Sequence, residues 1–462
     1  MRPFRILSPC GILGYGFPEA SFRRGMELSP DAIVVDAGST DAGPHKLGLG
    51  TAIVSAQACK KDLRLMITAG RRAGIPVIIG SAGGSGARTH VLWTRRIIDE
   101  IIREEGLGPL RIATIWADIP DDAVLEAMHT GDLTPLGQSV RPLTEERLKR
   151  TTGVVAQMGH EPFVEALKNG ADIILGGRAY DPSPFAAPAI LHGADPAYAY
   201  HLGKVLECAA LCATPGTTKD CMLGTVVDDG FIVTPLSPHR RCTPLSVAAH
   251  TFYEKDHPYI LHGPGITMDL SGCGFSQLDE FSVKVTGSRL TFDERYRIKL
   301  EGAMQVAYRT FVLAGIRDRV LIGRLREVED QVERQVREYY SELDQDSFTI
   351  HFMNYGLDAV LGDCEPDPTP GHEIGVMFEV LAPTQDMANM ICSTTRSTFL
   401  HYGYEGRKST AGNLAFPFAP SDVPFGPVFE FSVYHLMTVR DGLAMFPIEY
   451  DDVGGERDGA AL

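Results

Sequence analysis

The stretch VVDAGSTDAGP, residues 34–44, begins as an apolar strand and ends in a loop of small and polar residues. Similar apolar runs recur along the first half of the chain, in the order FRILSP, IPVIIGS, LRIATIW, GVVAQM and ADIILGG. Short, nearly continuous apolar runs that alternate with helical patterns are typical of parallel strands buried on both faces. The sequence therefore predicts an α/β fold, with a mostly parallel sheet and helices on both of its faces.

The pattern changes twice along the chain. Residues 1–223 predict an α/β domain with a ligand crevice at its strand ends, including helices at 89–105, 121–129 and 161–169. Residues 224–345 predict a β-rich insertion followed by a charged helical segment at 294–343. Residues 346–462 predict a C-terminal α+β region that contains a β-α-β unit and a frayed tail.

Composition excludes several classes of protein. A formal net charge of −16 without a basic tract argues against a nucleic-acid partner. No window approaches eighteen uninterrupted apolar residues, so we expect no membrane span, and the start of the chain lacks a signal-peptide pattern, so we expect a cytoplasmic protein. The nine cysteines lack paired spacing, which predicts reduced thiols rather than disulfides or a zinc ribbon.

Polar residues follow the predicted strands at five points. In a parallel α/β sheet, the loops after the carboxyl ends of the strands form the ligand crevice. These loops contain Asp36, Ser39, Thr40 and Asp41; Ser81 to Gly86; Trp116 and Asp118; His160 and Glu161; and Arg178 and Asp181. We predict that Asp36, His160 and Asp181 are acid–base groups or hard metal ligands. The alternative is that each polar residue only caps a helix or makes a turn.

The glycine-rich loop GSAGGSGA, residues 80–87, lies between a strand and a helix, where backbone amides can hold a phosphate or carboxylate. It lacks both the Lys-Ser/Thr pair of a P-loop and the GxGxxG spacing, so no nucleotide cofactor is predicted. The alternative is a tight chain crossing. The predicted substrate-binding residues are Ser39, Ser81, Gly83, Gly84, Ser85, Gly86, Arg178 and Glu207.

The helix HLGKVLECAALCA, residues 201–213, carries a basic and thiol-bearing stripe. At 3.6 residues per turn, His201, Lys204, Cys208 and Cys212 share one side. A cation near Cys208 favours a thiolate that acts as a nucleophile, an acid–base group or a soft metal ligand, so Lys204 and Cys208 join the predicted catalytic residues. The alternative is that these cysteines are small core residues. No metal-binding spacing is present, so the cofactor stays unknown, with a divalent metal left open.

Several long strings resemble one known family: ADIILGGRAYDPSPFAAPAI, KVLECAALCATPG, KDCMLG, HGPG and EGRKSTAGNLAFPFAPSD. Together with the rest of the chain they resemble the acyclic terpene utilisation, AtuA-type, family over nearly the whole length. The resemblance implies a catabolic role and carries over no catalytic residues. It favours a hydratase or other lyase acting on a small carboxylate or its acyl-CoA thioester.

The resemblance also leaves a second function open. Longer members of the family carry an additional small α/β domain at the C-terminus, which implies a small companion subunit for this chain. The alternative function is therefore a non-catalytic large subunit or scaffold that binds a carboxylate or acyl-CoA and works with that companion. In either case we expect a homo-oligomer.

Overall fold

The computed structural model describes residues 2–38, 43–253, 256–367, 369–408 and 410–454. The chain forms two compact units. Unit 1 comprises residues 1–304 and 431–462, and unit 2 comprises residues 305–430. The division into regions that end at 223 and 345 stays a prediction.

Nineteen strands are assigned within the described residues: β1 (Phe4–Ser8), β2 (Ala32–Asp36), β3 (Val77–Gly80), β4 (Leu110–Ile115), β5 (Leu133–Pro135), β6 (Thr151–Ala156), β7 (Ile173–Gly176), β8 (Met222–Val227), β9 (Gly230–Pro235), β10 (Ile260–Gly263), β11 (Ile266–Asp269), β12 (Gly274–Gln277), β13 (Val283–Thr286), β14 (Arg289–Phe292), β15 (Tyr296–Ile316), β16 (Thr349–Tyr355), β17 (Ile374–Ala382), β18 (Asp422–Val439) and β19 (Ile448–Val453).

The α-helices of the described residues are α1 (Glu19–Glu27), α2 (Gly43–Leu49), α3 (Ala56–Ala73), α4 (Arg88–Glu104), α5 (Asp121–Thr130), α6 (Glu145–Lys149), α7 (Glu161–Lys168), α8 (Ser183–Leu191), α9 (Pro196–Leu206), α10 (Pro244–Thr251), α11 (Arg319–Ile322), α12 (Leu325–Tyr339) and α13 (Gln385–His401). None of these described helices is both long enough and apolar enough to cross a bilayer.

A ten-stranded mixed sheet forms the centre of unit 1, in the order β12-β13-β9-β8-β1-β2-β3-β7-β4-β19. Its middle five strands, β1, β2, β3, β7 and β4, are parallel to their neighbours in this group. The strands on both sides of this group pair antiparallel. Five of the nine strand pairs in the sheet are therefore antiparallel.

The prediction of a mostly parallel sheet is wrong. β8, β9, β12 and β13 come from the predicted β-rich insertion, yet they extend the same sheet as antiparallel strands. β19 includes residues of the predicted frayed tail and pairs antiparallel with β4. β6, the GVVAQM run, pairs antiparallel with β15 instead of joining the parallel group. An apolar run indicates burial of a strand but carries no information about the direction of its neighbour.

The alternating side chains of the parallel group fill a core on each face of the sheet. Ile6 and Val34 point into one core, together with side chains of α5, α7, α8 and α9. Leu7 and Ile33 point into the opposite core, with side chains of α1, α3 and α4. Successive strand residues face opposite sides of a sheet, so helices must cover both faces of strands that are apolar throughout.

The remaining strands of unit 1 form smaller pairings. β10, β11 and β14 make a three-stranded antiparallel sheet. The first part of β15 pairs with β6, and the end of β18 pairs with β5. This places Glu301 of β15 opposite Val155 of β6.

Unit 2 contains the antiparallel strands β16, β17 and the second part of β15, in the order β16-β17-β15. Apolar side chains of α12 and α13 pack with those of the strands in one core. The predicted helical segment at 294–343 is wrong in its first half, because residues 296–316 form the 21-residue strand β15. Its second half is the helix α12.

Candidate active site

The carboxyl ends of the five parallel strands lie at one edge of the large sheet. Asp36 is the last residue of β2, Ser81 directly follows β3, and Arg178 comes two residues after β7. Asp36 pairs in register with Gly80 of β3. The structure thus brings together three predicted site residues from loops that are far apart in the sequence.

Arg178 is the centre of this group and is only 3% exposed. Its Nη1 donates to Ser81 Oγ at 3.1 Å and to Asp181 Oδ1 at 3.0 Å. The Ala179 carbonyl accepts a further bond from Nη1 at 3.1 Å. The opposite edge of the guanidinium faces Glu301, with Nε to Oε2 at 3.0 Å and Nη2 to Oε1 at 3.5 Å. Each of the three guanidinium nitrogens therefore has an acceptor from the protein itself.

Ser81 is held in a conformation that serine rarely adopts, with φ of +47°. Its buried Oγ accepts from the backbone N–H of Ala179 at 3.2 Å as well as from Arg178. The backbone at Ser81 therefore stores strain while its side chain orients the loop that carries Arg178.

Asp36 is a buried carboxyl group that the structure leaves partly unsatisfied. It is 3% exposed, and its Oδ1 has no hydrogen-bond partner among the residues that the structure describes. Burial and the nearby Asp181 carboxylate raise its pKa well above the usual value, and Arg178 opposes this effect only in part. Burial at this position therefore favours the protonated form of Asp36.

The sequence pattern did not indicate Glu301, because this residue lies in the segment 294–343 that is predicted to be helical. Lys299 Nζ contacts Glu301 Oε1 at 2.9 Å, and Gln157 Nε2 donates to the same oxygen at 3.2 Å. Burial by itself raises the pKa of Glu301, but Arg178 and Lys299 outweigh it and hold the pKa at about 2. An acidic residue within an apolar strand was the available signal, since buried carboxylates are normally paired.

The end of α9 carries the predicted Lys204 and Glu207, which form a buried ion pair at 2.5 Å. Cys208 Sγ lies 3.1 Å from the hydroxyl of Tyr253, a residue that sequence reasoning also missed. Burial raises the pKa of the Cys208 thiol to about 12, with a further increase from Glu207, and Lys204 counteracts this only in part. The predicted cation is thus present beside the thiol, but it does not compensate for burial.

The α9 group and the Arg178 group are electrostatically linked. The negative charge of Asp181 raises the pKa values of Asp36, Lys204 and Cys208. Glu207 also raises the pKa of Asp36. Asp181 itself is one-third exposed. The structure therefore assembles one polar cluster from Asp36, Ser81, Arg178, Asp181, Lys204, Glu207 and Cys208, with the addition of Glu301 and Tyr253.

His160 lies in a separate polar group. Its Nδ1 is 3.0 Å from the hydroxyl of Tyr200 and 3.6 Å from Glu161 Oε2, which also accepts from Tyr296 at 2.8 Å. Burial lowers the pKa of His160, and Glu161 opposes this effect. Both ring nitrogens of the buried His201 have hydrogen-bond partners. Ser288 Oγ lies 2.7 Å from Nδ1, and Thr251 Oγ1 lies 3.1 Å from Nε2.

Most backbone amides of the glycine-rich loop bond within the protein. The amides of Ser81 and Ala82 donate to the carbonyls of Gly177 and Gly176, and those of Gly84 and Gly86 donate within the loop. At the start of α4, the amide of Arg88 donates to Asp118 Oδ1 at 3.0 Å. A Cβ atom at Gly86 would lie 2.1 Å from the backbone nitrogen of Arg178. The loop therefore requires glycine for close backbone approach, and its anion-binding role stays a prediction.

The other predicted loop residues have different positions. Gly83 packs against His90, whereas Gly84 and Ser85 line a cavity of about 100 Å³ beside Arg178. Ser39, with Thr40 and Asp41, lies outside the described residues. In the part of the chain that the structure describes, no group of three His, Cys, Asp or Glu side chains is placed to hold a metal ion.

Comparison with known proteins assigns the chain to a family. The model of the family described as "Acyclic terpene utilisation family protein AtuA" matches residues 56–417. No curated protein and no solved structure matches the chain. The matched range includes the loops that carry Ser81, Arg178 and Asp181, the end of α9 and Glu301.

Proposed function

The chain belongs to the acyclic terpene utilisation family, which implies a role in acyclic terpene catabolism, and from this premise we propose that it is an acid–base enzyme of that catabolism. The reaction class that we propose is a hydro-lyase reaction, the addition or removal of water beside a carbonyl group. The observation that supports the proposal is the buried Asp36 carboxyl group at the edge of the parallel strands, close enough to Asp181 for that charge to raise its pKa.

The two aspartates have different environments and so suit different roles. Asp36 is buried and its pKa is raised well above the usual value, whereas Asp181 is partly exposed and ion-paired with Arg178. Carboxyl groups whose environments separate their protonation states are a recurring arrangement for a general acid and a general base. Asp36 is the proton donor in this proposal, and Asp181 is the proton acceptor.

Hydration then proceeds with a balanced set of protons. Asp181 takes a proton from water while the water oxygen forms a bond to the β-carbon of an α,β-unsaturated acyl group. Asp36 gives its proton to the α-carbon, and a proton passes from Asp181 back to Asp36 to complete the cycle. Dehydration follows the same steps in reverse. Positioned proton transfer of this kind contributes about 10²–10⁴-fold to rate.

The charge balance of the cluster favours an uncharged reacting group. Arg178 is paired with Glu301 and Asp181, Lys204 with Glu207, and Lys299 with Glu301. A free carboxylate would have to displace one of these partners, and displacement of Glu301 or Glu207 leaves a buried charge unpaired at a large energetic cost. Between the two substrate classes that the sequence predicted, an acyl thioester therefore suits the cluster better than a free carboxylate.

The test is a turnover assay with purified protein and branched, α,β-unsaturated acyl-CoA thioesters, followed by mass spectrometry for the gain of one water. We expect Asp36→Asn to lower kcat by at least about 10²-fold, as removal of a general acid does. Glu329→Gln is the matched control, since Glu329 is also a buried carboxyl group with a raised pKa but lies in unit 2.

Two outcomes would contradict the proposal. One is undiminished turnover by Asp36→Asn. The other is thioester binding without turnover by the wild type, which would favour the alternative of a binding subunit that needs a companion. A pull-down of partners from cells grown on an acyclic terpene alcohol then identifies that companion.

A further inference from the structure

Arg178 presents two distinct edges to its neighbours. Nη1 faces Ser81, Ala179 and Asp181, on the side of the acid–base pair. Nε and Nη2 face the two carboxylate oxygens of Glu301, at 3.0 and 3.5 Å. Arginine commonly binds a carboxylate ligand in this side-on arrangement, in which two nitrogens along one edge of the guanidinium face the two carboxylate oxygens.

Glu301 is firmly held in this place. Its Oε1 accepts from Lys299 Nζ at 2.9 Å and from Gln157 Nε2 at 3.2 Å. Lys299 in turn donates to the Tyr434 hydroxyl at 2.8 Å and lies over the Tyr434 ring. Glu301 is 7% exposed, so its carboxylate is an internal, buried ligand of Arg178.

A cavity adjoins this ion pair. It measures about 100 Å³ and is lined by Arg178, Glu301, Leu47, Ser85, Phe431 and Tyr434. The lining combines apolar and aromatic groups with the one charged pair, as small-molecule sites commonly do. A small organic group can therefore reach the Arg178–Glu301 pair from this side.

We propose that Glu301 is a specificity-determining residue that occupies the carboxylate-binding edge of Arg178 and thereby excludes free acids from the site. The exclusion of free acids as substrates rests on the proposed function, whereas the occupation of the Arg178 edge by Glu301 does not. With the Nε and Nη2 edge blocked, the site admits the uncharged carbonyl of a thioester, and Arg178 acts only through Nη1 on Ser81 and Asp181.

The charges in the cluster support this role. Glu301 and Asp181 are the carboxylates that pair with Arg178, and Glu301 is the more deeply buried of the two. If the Glu301 carboxylate were lost, the uncompensated guanidinium would favour the ionised form of Asp36 and lower its pKa. The residue that excludes free acids thus also moderates the effect of Arg178 on the Asp36 pKa.

The experiment replaces the internal carboxylate with an external one. Glu301→Ala opens space beside Arg178, and the purified full-length variant is titrated with sodium acetate at constant ionic strength, with sodium chloride and acetamide as controls. Thermal unfolding and calorimetric titration measure binding, because a ligand that binds the folded state raises its stability.

We expect acetate to raise the unfolding midpoint of Glu301→Ala in a saturable manner, with binding at least about tenfold tighter than to the wild type, as a bidentate arginine–carboxylate contact predicts. Acetamide and chloride should have no such effect. A variant that folds only in acetate would show the same rescue in its strongest form. Equal acetate binding by the wild type, or no acetate effect on the folded variant, would overturn the proposal.

Glu301→Gln provides the second test if Glu301→Ala does not fold under any condition. This variant keeps the side-chain shape and removes the charge, so Asp36 should ionise at lower pH than in the wild type. The infrared C=O band of the protonated acid, assigned by its loss in Asp36→Asn, reports this ionisation. An unshifted titration would overturn the proposal. These readouts require no turnover, so rescue by acetate together with full activity of Asp36→Asn would reject the proposed function and leave the role of Glu301 intact.

Discussion

Each compact unit buries a carboxyl group whose pKa is raised, but the surroundings of the two groups differ. Asp36 of unit 1 lies at a strand end among Arg178, Asp181 and Glu207. Glu329 of unit 2 lies on α12 and accepts from Asn354 Nδ2 at 3.1 Å. Burial raises the pKa of Glu329 to about 7, and within the described parts of the chain its Oε1 and the Oδ1 of Asn354 both lack a hydrogen-bond partner.

The comparison shows that a raised pKa alone does not identify a functional group. Burial is the first cause at both carboxyl groups, and structural ionisable groups are perturbed as readily as catalytic ones. What distinguishes Asp36 is its position where loops from several parallel strands converge. Glu329 instead lies on the helix α12, where Asn354 donates to it and Asp358, Arg326 and Asp330 act on its pKa.

Arg178→Met should have the largest effect on stability. It leaves Glu301 buried without its main partner, and removal of one member of a buried ion pair costs about 3–5 kcal/mol. In unit 2, Arg326→Met breaks an ion pair with Asp358 in which the arginine is exposed, and it should cost at most about 1 kcal/mol. Denaturant unfolding of both variants measures the difference, and equal losses would mean that the Arg178 cluster is not exceptional.

Gly86→Ala should destabilise the fold by about 2–4 kcal/mol, from the left-handed backbone and from overpacking. Gly86 has φ of +64°, and its Cβ would meet the Arg178 backbone. Gly362 of unit 2 has φ of +57° with open space around it, so Gly362→Ala should cost only about 1–2 kcal/mol. Thermal unfolding measures the loss of stability in both variants. Both share the cost of a left-handed alanine, so the difference between them is the cost of the contact at Gly86.

Glu329→Gln should stabilise the protein by about 3 kcal/mol at pH 8, since each unit of pKa shift corresponds to about 1.4 kcal/mol. The amide of glutamine can also donate to Asn354 Oδ1. The folded-state pKa of Glu329 is raised, so its contribution to stability is complete below about pH 4.5 and is lost as the pH rises through about 7. The gain from Glu329→Gln should therefore disappear below pH 4.5 in unfolding curves measured from pH 4 to 8.

The smallest effect concerns the thiols. Iodoacetamide at pH 7 should label the exposed Cys364 of unit 2 well before Cys208, because burial holds the pKa of Cys208 at about 12 and the thiolate is the reactive form. Peptide mapping over time measures the two rates. Preferential labelling of Cys208 that a bound thioester prevents would instead return this thiol to the list of catalytic groups.

The sequence was sufficient to locate much of the edge where the cluster lies. The apolar runs of β2, β3 and β7 and the polar residues behind them are local patterns, and the structure places Asp36, Ser81, Arg178 and Asp181 together as the convergence of loops predicted. The spacing of His201, Lys204 and Cys208 likewise placed them beside one segment, since all three contact residues 251–253. In each case the periodicity of the residues carries the information.

Only the tertiary structure decided the direction of the outer strands and the partners of the charges. Glu301 meets Arg178 across 123 positions of sequence, and Tyr253 meets Cys208 across 45. A strand has the same apolar pattern whether its neighbour runs parallel or antiparallel. The residues around a charged side chain likewise do not identify the residue with which it forms an ion pair. Hydrophobic periodicity arises within a few residues, so the sequence determined what is buried, whereas pairing between distant segments depends on how the whole chain packs.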